Sequence, residues 1–325
     1  MTSVDYRFLV LTLPLISLFL LPVPVSATPG TLAIATDTTL TEDHSGSIVI
    51  TANGITLDCN GHTISGTWSG IGIDIDHKTE VTVKNCTISG FNTGIRLRST
   101  TLTTVENNVL MRNTDGVDLL TSTQNTLRGN RARDNGIAFY LSSSDDNRLT
   151  SNESELDGIG YFLNSSNDNI VNRNVARSDT NGYKLVSSAG NLLADNIGET
   201  NNTNYALQFS NGNTLGENTA SGSGDGFSLF ASHNNIMNEN TARNNAFAGY
   251  RLVASDGNKI AGNTADNNVD GFSIEVDSTG NEVILNWIRS NGRGVHICKS
   301  VFKQNGVFPN SFSGPQQAIA IDKTC

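Results

Sequence analysis

The sequence predicts an all-β chain folded as a right-handed parallel β-helix, a single solenoid of about eleven coils of 22 to 23 residues with a cap at each end. Three observations predict it. A 22-residue repeat runs through the chain, apolar residues within each repeat alternate with period two, and each apolar run is short and bounded by Asn, Gly, Asp or Ser. Period two is the signature of strands, and the bounding residues are turn formers.

The repeat is clearest from Asn125, where the run is Asn-Thr-Leu-Arg-Gly-Asn-Arg-Ala-Arg-Asp-Asn. It restarts at Asn147, Asn169, Asn191, Asn213, Asn235, Asn258 and Asn281, with an earlier variant at Thr103. One column is apolar: Val105, Leu127, Leu149, Val171, Leu193, Leu215, Met237, Ile260 and Val283. Another is Asn throughout: Asn108, Asn130, Asn152, Asn174, Asn196, Asn218, Asn240, Asn263 and Asn286. Asn tolerates left-handed backbone geometry at a turn, and stacked amides can hydrogen-bond from coil to coil. One coil cannot bury its apolar residues alone, whereas coils stacked about 4.8 Å apart form internal ladders. A leucine-rich repeat has a similar period, but Gly, Asn and Ser stand where it needs leucines and helix formers. Right-handedness follows from the strong preference of parallel crossover connections.

Residues 1–27 read as a signal peptide: Arg7, an apolar stretch from Phe8 to Leu21, then Val25-Ser26-Ala27 at the cleavage position. Residues 28–54 are expected to form the N-terminal cap and first coil, 55–298 the β-helix, and 299–325 a C-terminal cap over the last open edge. No other stretch is apolar enough to span a bilayer, so the mature chain carries no transmembrane segment. The expected location is secreted, periplasmic or cell-surface.

Export permits disulfides, and the four cysteines fall as two pairs near the two ends of the mature chain. Three connectivities are possible. Cys59 and Cys86 follow equivalent strands on adjacent coils, Ile55-Leu57 and Val81-Val83. Cys298 ends the last recognisable strand and Cys325 ends the tail that must fold back over it. Stacked neighbours lie within disulfide reach, so Cys59–Cys86 and Cys298–Cys325 are expected. A net charge of −10 argues against nucleic acid as a partner.

The segment Asn53-Gly54-Ile55-Thr56-Leu57-Asp58-Cys59-Asn60-Gly61-His62-Thr63-Ile64-Ser65-Gly66 resembles the opening coil of NosD-like β-helix proteins. These belong to the broad pectin-lyase-like group, also described as carbohydrate-binding and sugar-hydrolysis domains. The resemblance covers nearly all of the mature chain. It implies the fold, and a range of roles: polysaccharide lyase, glycosidase, epimerase or copper-site maturation factor. A fold shared this widely does not fix an activity.

The column between the two apolar residues after Gly must point outward. It reads Asp74, Arg96, Asp118, Tyr140, Phe162, Lys184, Ala206, Ser228, Arg251, Ser273, His296, with Asp76 and Arg98 at the next outward position. Arg96, Arg98, Asp118, Tyr140, Phe162 and Lys184 are the candidate substrate-binding residues. Aromatic rings offer flat platforms to sugar faces, and Arg or Lys can pair with uronate carboxylates. Asp74, Asp76, Arg96 and Asp118 are the candidates for catalysis, because paired acids or acids beside Arg suit glycoside hydrolysis or lyase chemistry. The structural alternative is a salt-bridge ladder that also guards the sheet. The histidines, His44, His62, His77, His233 and His296, share no column, and only Met111 and Met237 follow the signal segment. No metal site and no cofactor are expected. Three functions remain: a protein that binds polysaccharide or cell-surface glycan on its outer sheet, a lyase, epimerase or glycoside hydrolase on the same groove, or a structural surface protein.

Overall fold

The computed structural model describes residues 30–323 and 325, so the expected signal peptide lies outside the described residues. The chain winds as a right-handed parallel β-helix with three sheets of 14, 12 and 13 strands. Neighbours in each sheet are strands from successive coils. Each regular coil gives a six-residue strand, such as Ile137–Ser142, to the long sheet and three-residue strands to the other two.

The corners explain the Asn columns, with one correction. The left-handed residue is the one before each ladder Asn, not the Asn itself: Asn107, Gly129, Ser151 and Arg173 all have φ of 54–64°. That residue redirects the chain. The following Asn turns inward, fully buried, and saturates the corner's backbone. Asn174 is representative. Its Oδ1 accepts from the backbone N–H and the side-chain amide of Asn152, at 2.9 and 3.0 Å. Its own amide donates to Asn196 Oδ1 at 3.1 Å and to the Leu149 carbonyl at 2.9 Å. Parallel ladders run through Asn125–Asn147–Asn169 and through Ser144–Ser166–Ser188 at other corners.

The apolar column from Val105 to Val283 is fully buried. Behind the long sheet, Phe139, Tyr161, Tyr183, Tyr205, Phe227, Tyr250 and Phe272 stack with centroids 4.6–5.0 Å apart. The Tyr hydroxyls donate to backbone carbonyls across the interior, Tyr205 to Asn196 O at 2.9 Å and Tyr250 to Asn240 O at 2.8 Å.

The solenoid has about 13 coils rather than about eleven. Part of the excess lies in the tail. Ser311–Ser313 and Gln317–Asp322 extend two of the sheets, while Asn305 and Asn310 continue two Asn ladders. The repeat is hard to see there because its spacing stretches to 24 residues around a 3₁₀ turn at Phe302–Gln304. Both disulfides form as expected, Cys59–Cys86 with Cα atoms 4.7 Å apart and Cys298–Cys325 at 5.2 Å.

Candidate functional site

The predicted outward column is continuous. Register pairing joins Asp74, Arg96, Asp118, Tyr140, Phe162, Lys184, Ala206, Ser228, Arg251, Ser273 and His296 on successive strands of the long sheet. Asp76 and Arg98 pair two residues further along their strands.

At the N-terminal end the charges are engaged with one another. Arg96 binds Asp74 through two bonds, Nε to Oδ1 at 3.0 Å and a terminal nitrogen to Oδ2 at 2.8 Å. Arg98 grips Asp76 in the same way, and that hydrogen bond holds the Asp76 carboxyl down at about 2. The third sheet carries a comparable ladder, with Arg131–Glu153 at 2.8 Å and Arg177–Glu199 at 3.0 Å. Coil-to-coil ion pairs are thus a general device of this solenoid.

Asp118 breaks this pattern. It lies on the outward column yet is only 7% exposed, so it is not the open carboxylate that the alternation suggests. Thr93 donates to its Oδ2 at 3.3 Å, and its buried Oδ1 has no partner. Burial raises its pKa to about 7, with the nearby charge of Asp115 adding to the rise, while Thr93 and Arg96 offset part of it. A carboxyl in this state is partly neutral at physiological pH.

Next on the column, Tyr140 and Phe162 form a half-exposed stacked pair, centroids 5.1 Å apart and 20° from parallel. Asn164 donates to the Tyr140 hydroxyl oxygen at 3.3 Å. The Lys184 ammonium sits 5.4 Å from the Phe162 centroid and pairs with no described carboxylate. These three residues therefore form a stacked aromatic platform, its rings packed against each other, beside a cation with no carboxylate partner.

A second cluster closes the column at its C-terminal end, around a cleft of about 380 Å³. Arg251 is bound by Glu275 at 2.6 and 3.1 Å, and Arg293 by Asp270 at 2.5 and 2.7 Å. His296 lies between two carboxylates, Nδ1 3.5 Å from Asp270 and Nε2 3.4 Å from Asp322. Exposed Phe247 and Val269 form one wall. Arg251, Ser273 and His296 were legible on the outward column. Asp225, Asp270 and Arg293 were not, because they stand three residues earlier on their strands. Reading that flanking column in parallel would have found them.

The sequence matches the family described as periplasmic copper-binding protein (NosD) over residues 25–176 and again over 157–324. The chain belongs to the NosD family. No curated protein matches it by sequence. Solved structures show the same fold at low identity. The A-module of the Azotobacter vinelandii mannuronan C-5 epimerase AlgE6 is 16% identical, with a TM-score of 0.63 over 90% of this chain and 88% of that one. The periplasmic alginate epimerase AlgG is 13% identical, with a TM-score of 0.55 over 91% and 79%. An alginate lyase from Paenibacillus is 16% identical, with a TM-score of 0.50 over 73% and 89%.

The described side chains of this NosD-family chain do not fit the copper named in the family's description. Among the described residues, no group of three His, Cys, Asp or Glu side chains converges as a metal-ion site. Cys59, Cys86, Cys298 and Cys325 are all in disulfides, and Met237 is fully buried in the core. Of the soft ligands suited to copper among the described residues, this leaves Met111, half-buried and with no free cysteine to join it. No described helix is long and apolar enough to cross a membrane.

Proposed function

We propose that this chain is exported and binds an acidic polysaccharide along the outer face of its long sheet. The observation that carries the reading is the Tyr140–Phe162 stack with Lys184 beside it. The two rings pack against each other, so they present their edges as apolar ribs at coil spacing for sugar C–H groups, and the ammonium, which has no carboxylate partner, answers a uronate carboxylate. Solved neighbours described as alginate epimerases and an alginate lyase support a carbohydrate ligand of this class. The substrate-binding set is Arg96, Arg98, Asp118, Tyr140, Phe162 and Lys184. Its two arginines must exchange their present carboxylate partners to reach a ligand.

A second reading, catalysis on the same face, is favoured by Asp118. A partly neutral acid beside ionised neighbours is the state that a proton-transferring group requires. One experiment addresses both readings: titrate alginate and a neutral glucan against the protein, then analyse the products. Binding of alginate that Tyr140→Ala/Phe162→Ala weakens at least tenfold, with the fold retained by circular dichroism, supports the platform. Unchanged affinity in that folded double variant removes it. New uronate ends or altered residue composition would establish turnover. Absence of any glycan binding would favour the third role, a structural surface protein.

A further inference from the structure

The stretch between the two clusters is shaped as well. At Ala206 and Ser228 the outward column shrinks to small side chains. On one side of this low floor stand Phe209 and Phe230, 56% and 45% exposed and packed edge to face at 5.6 Å. On the other side stands Phe247, 66% exposed, at the mouth of the C-terminal cleft. The floor thus runs as a trough between aromatic shoulders and joins the platform to the cleft without a change of sheet.

We propose that this trough is one continuous path for a single linear acidic polysaccharide lying along the solenoid axis, held first at Phe162 and Lys184 and again at Arg251 and His296. The inference deepens the proposed binding function and rests on it. Three features support one long occupant rather than two small ones. The clusters share one column, so a straight chain meets both. The Tyr140 and Phe162 rings repeat at 5.1 Å, so a polymer advancing about one sugar per coil at the strand spacing stays in step with every coil. Basic groups stand at both ends of the path, Lys184 without a carboxylate partner, and Arg251 and His296 paired with Glu275, Asp270 and Asp322, which must release them to the ligand; the small residues between leave depth for the sugar rings. Tyr140 to His296 is seven coil steps, through positions 162, 184, 206, 228, 251 and 273. That is about 34 Å, which about eight sugars span at the same spacing.

The test is a chain-length series. Alginate oligomers of defined length, and neutral glucan oligomers of the same lengths, are titrated calorimetrically against the full chain. Short alginate oligomers should bind weakly. Affinity should climb by about 100-fold or more once the oligomer spans Phe162 to Arg251, four coil steps or about five residues, because the second contact becomes intramolecular. Ser228→Trp, which fills the floor at an outward position, should abolish that gain and leave short-oligomer binding unchanged. Arg251→Ala should return long oligomers to short-oligomer affinity. Affinity that stays flat beyond the shortest binding oligomer would overturn the path while leaving a local platform intact. So would full long-oligomer affinity in folded Ser228→Trp. Equal affinity for the neutral series would overturn the acidic assignment. Failure of every alginate oligomer to bind would bring down the proposed function and the path together.

Discussion

The Ser154 hydroxyl oxygen lies 2.7 Å from Oδ2 of Asp157 and, on the next coil, 2.9 Å from Oδ2 of Asp179. One hydroxyl carries one proton, so it cannot donate to both carboxyls. One of the two acids must supply the second hydrogen. Both occupy an Asn ladder: Asp157 Oδ1 accepts from the backbone and side chain of Asn135 at 2.6 and 2.9 Å, and Asp179 accepts from the Asp157 backbone at 2.8 Å. Burial raises Asp157 to about 6 and Asp179 to about 7.

These acids should make the solenoid less stable in alkali. Each is protonated in the folded chain where the unfolded chain is already ionised. Their contribution is therefore complete below about pH 4 and is lost as pH rises through about 6 to 7. Asp157→Asn and Asp179→Asn restore the ladder amide that the neighbouring coils use. Scanning calorimetry at pH 8 should show a gain on the order of 3 kcal/mol for each variant, shrinking to nothing at pH 4. A gain that is the same at both pH values would contradict the protonated pair.

The intact ladder makes the opposite prediction. Asn174→Ala removes the acceptor of two Asn152 donors and the donor to Asn196 and Leu149. The groups left behind are fully buried, so each loses its partner without gaining water. The expected loss is about 3 kcal/mol or more by urea denaturation. Asn172→Ala, two residues earlier on the outward face of the second sheet, should cost far less. Similar losses at both positions would mean that side-chain volume, not the ladder, is what position 174 supplies.

The ladders and the stacked core were legible in the sequence because they repeat. Val105 and Leu127 state the same geometry one coil apart, and Asn108 and Asn130 do the same for the corners. The charged partners were less legible. Alternation shows that Asp118 faces outward, but not that its neighbours cover it. Nor does a single column show Asp270 and Arg293 closing on His296 from a flanking one. The corner residues were misassigned because Asn is a familiar left-handed residue. Here almost any side chain fills that conformation, including Arg173 and Leu285 with φ of 57°, and the Asn is needed one place later for its amide.

The Cys298–Cys325 bridge ties the last coil to the strand beneath it. That coil lacks the stacked aromatics of the middle, and its ladder partners Asn305 and Asn310 are only part-buried. Solenoid ends open first because they have a neighbour on one side only. Cys298→Ala/Cys325→Ala should therefore speed hydrogen exchange in Gln317–Asp322 and lower stability by about 2–4 kcal/mol. The coils around Tyr183 should keep their protection. Uniform loss of protection along the whole chain would show that the bridge stabilises the solenoid as one unit.

Asp118 allows stability and function to be separated at one residue. Its pKa of about 7 means that the folded chain holds this proton over a range where the unfolded chain has released it. The stability it confers is present below about pH 4 and disappears as pH rises through 7. Asp118→Asn keeps an acceptor for Thr93 and places no charge in the covered site. Urea titrations should show the variant more stable at pH 8, by about 4 kcal/mol, and indistinguishable from the parent at pH 4. If alginate turnover is found, the same variant should lose it while retaining oligomer affinity, because an amide cannot give or take the proton. Arg96→Ala should lose it too, through the site's charge balance. Turnover that survives both changes would place the chemistry at another point along the column, with the cleft at His296 the next position to test.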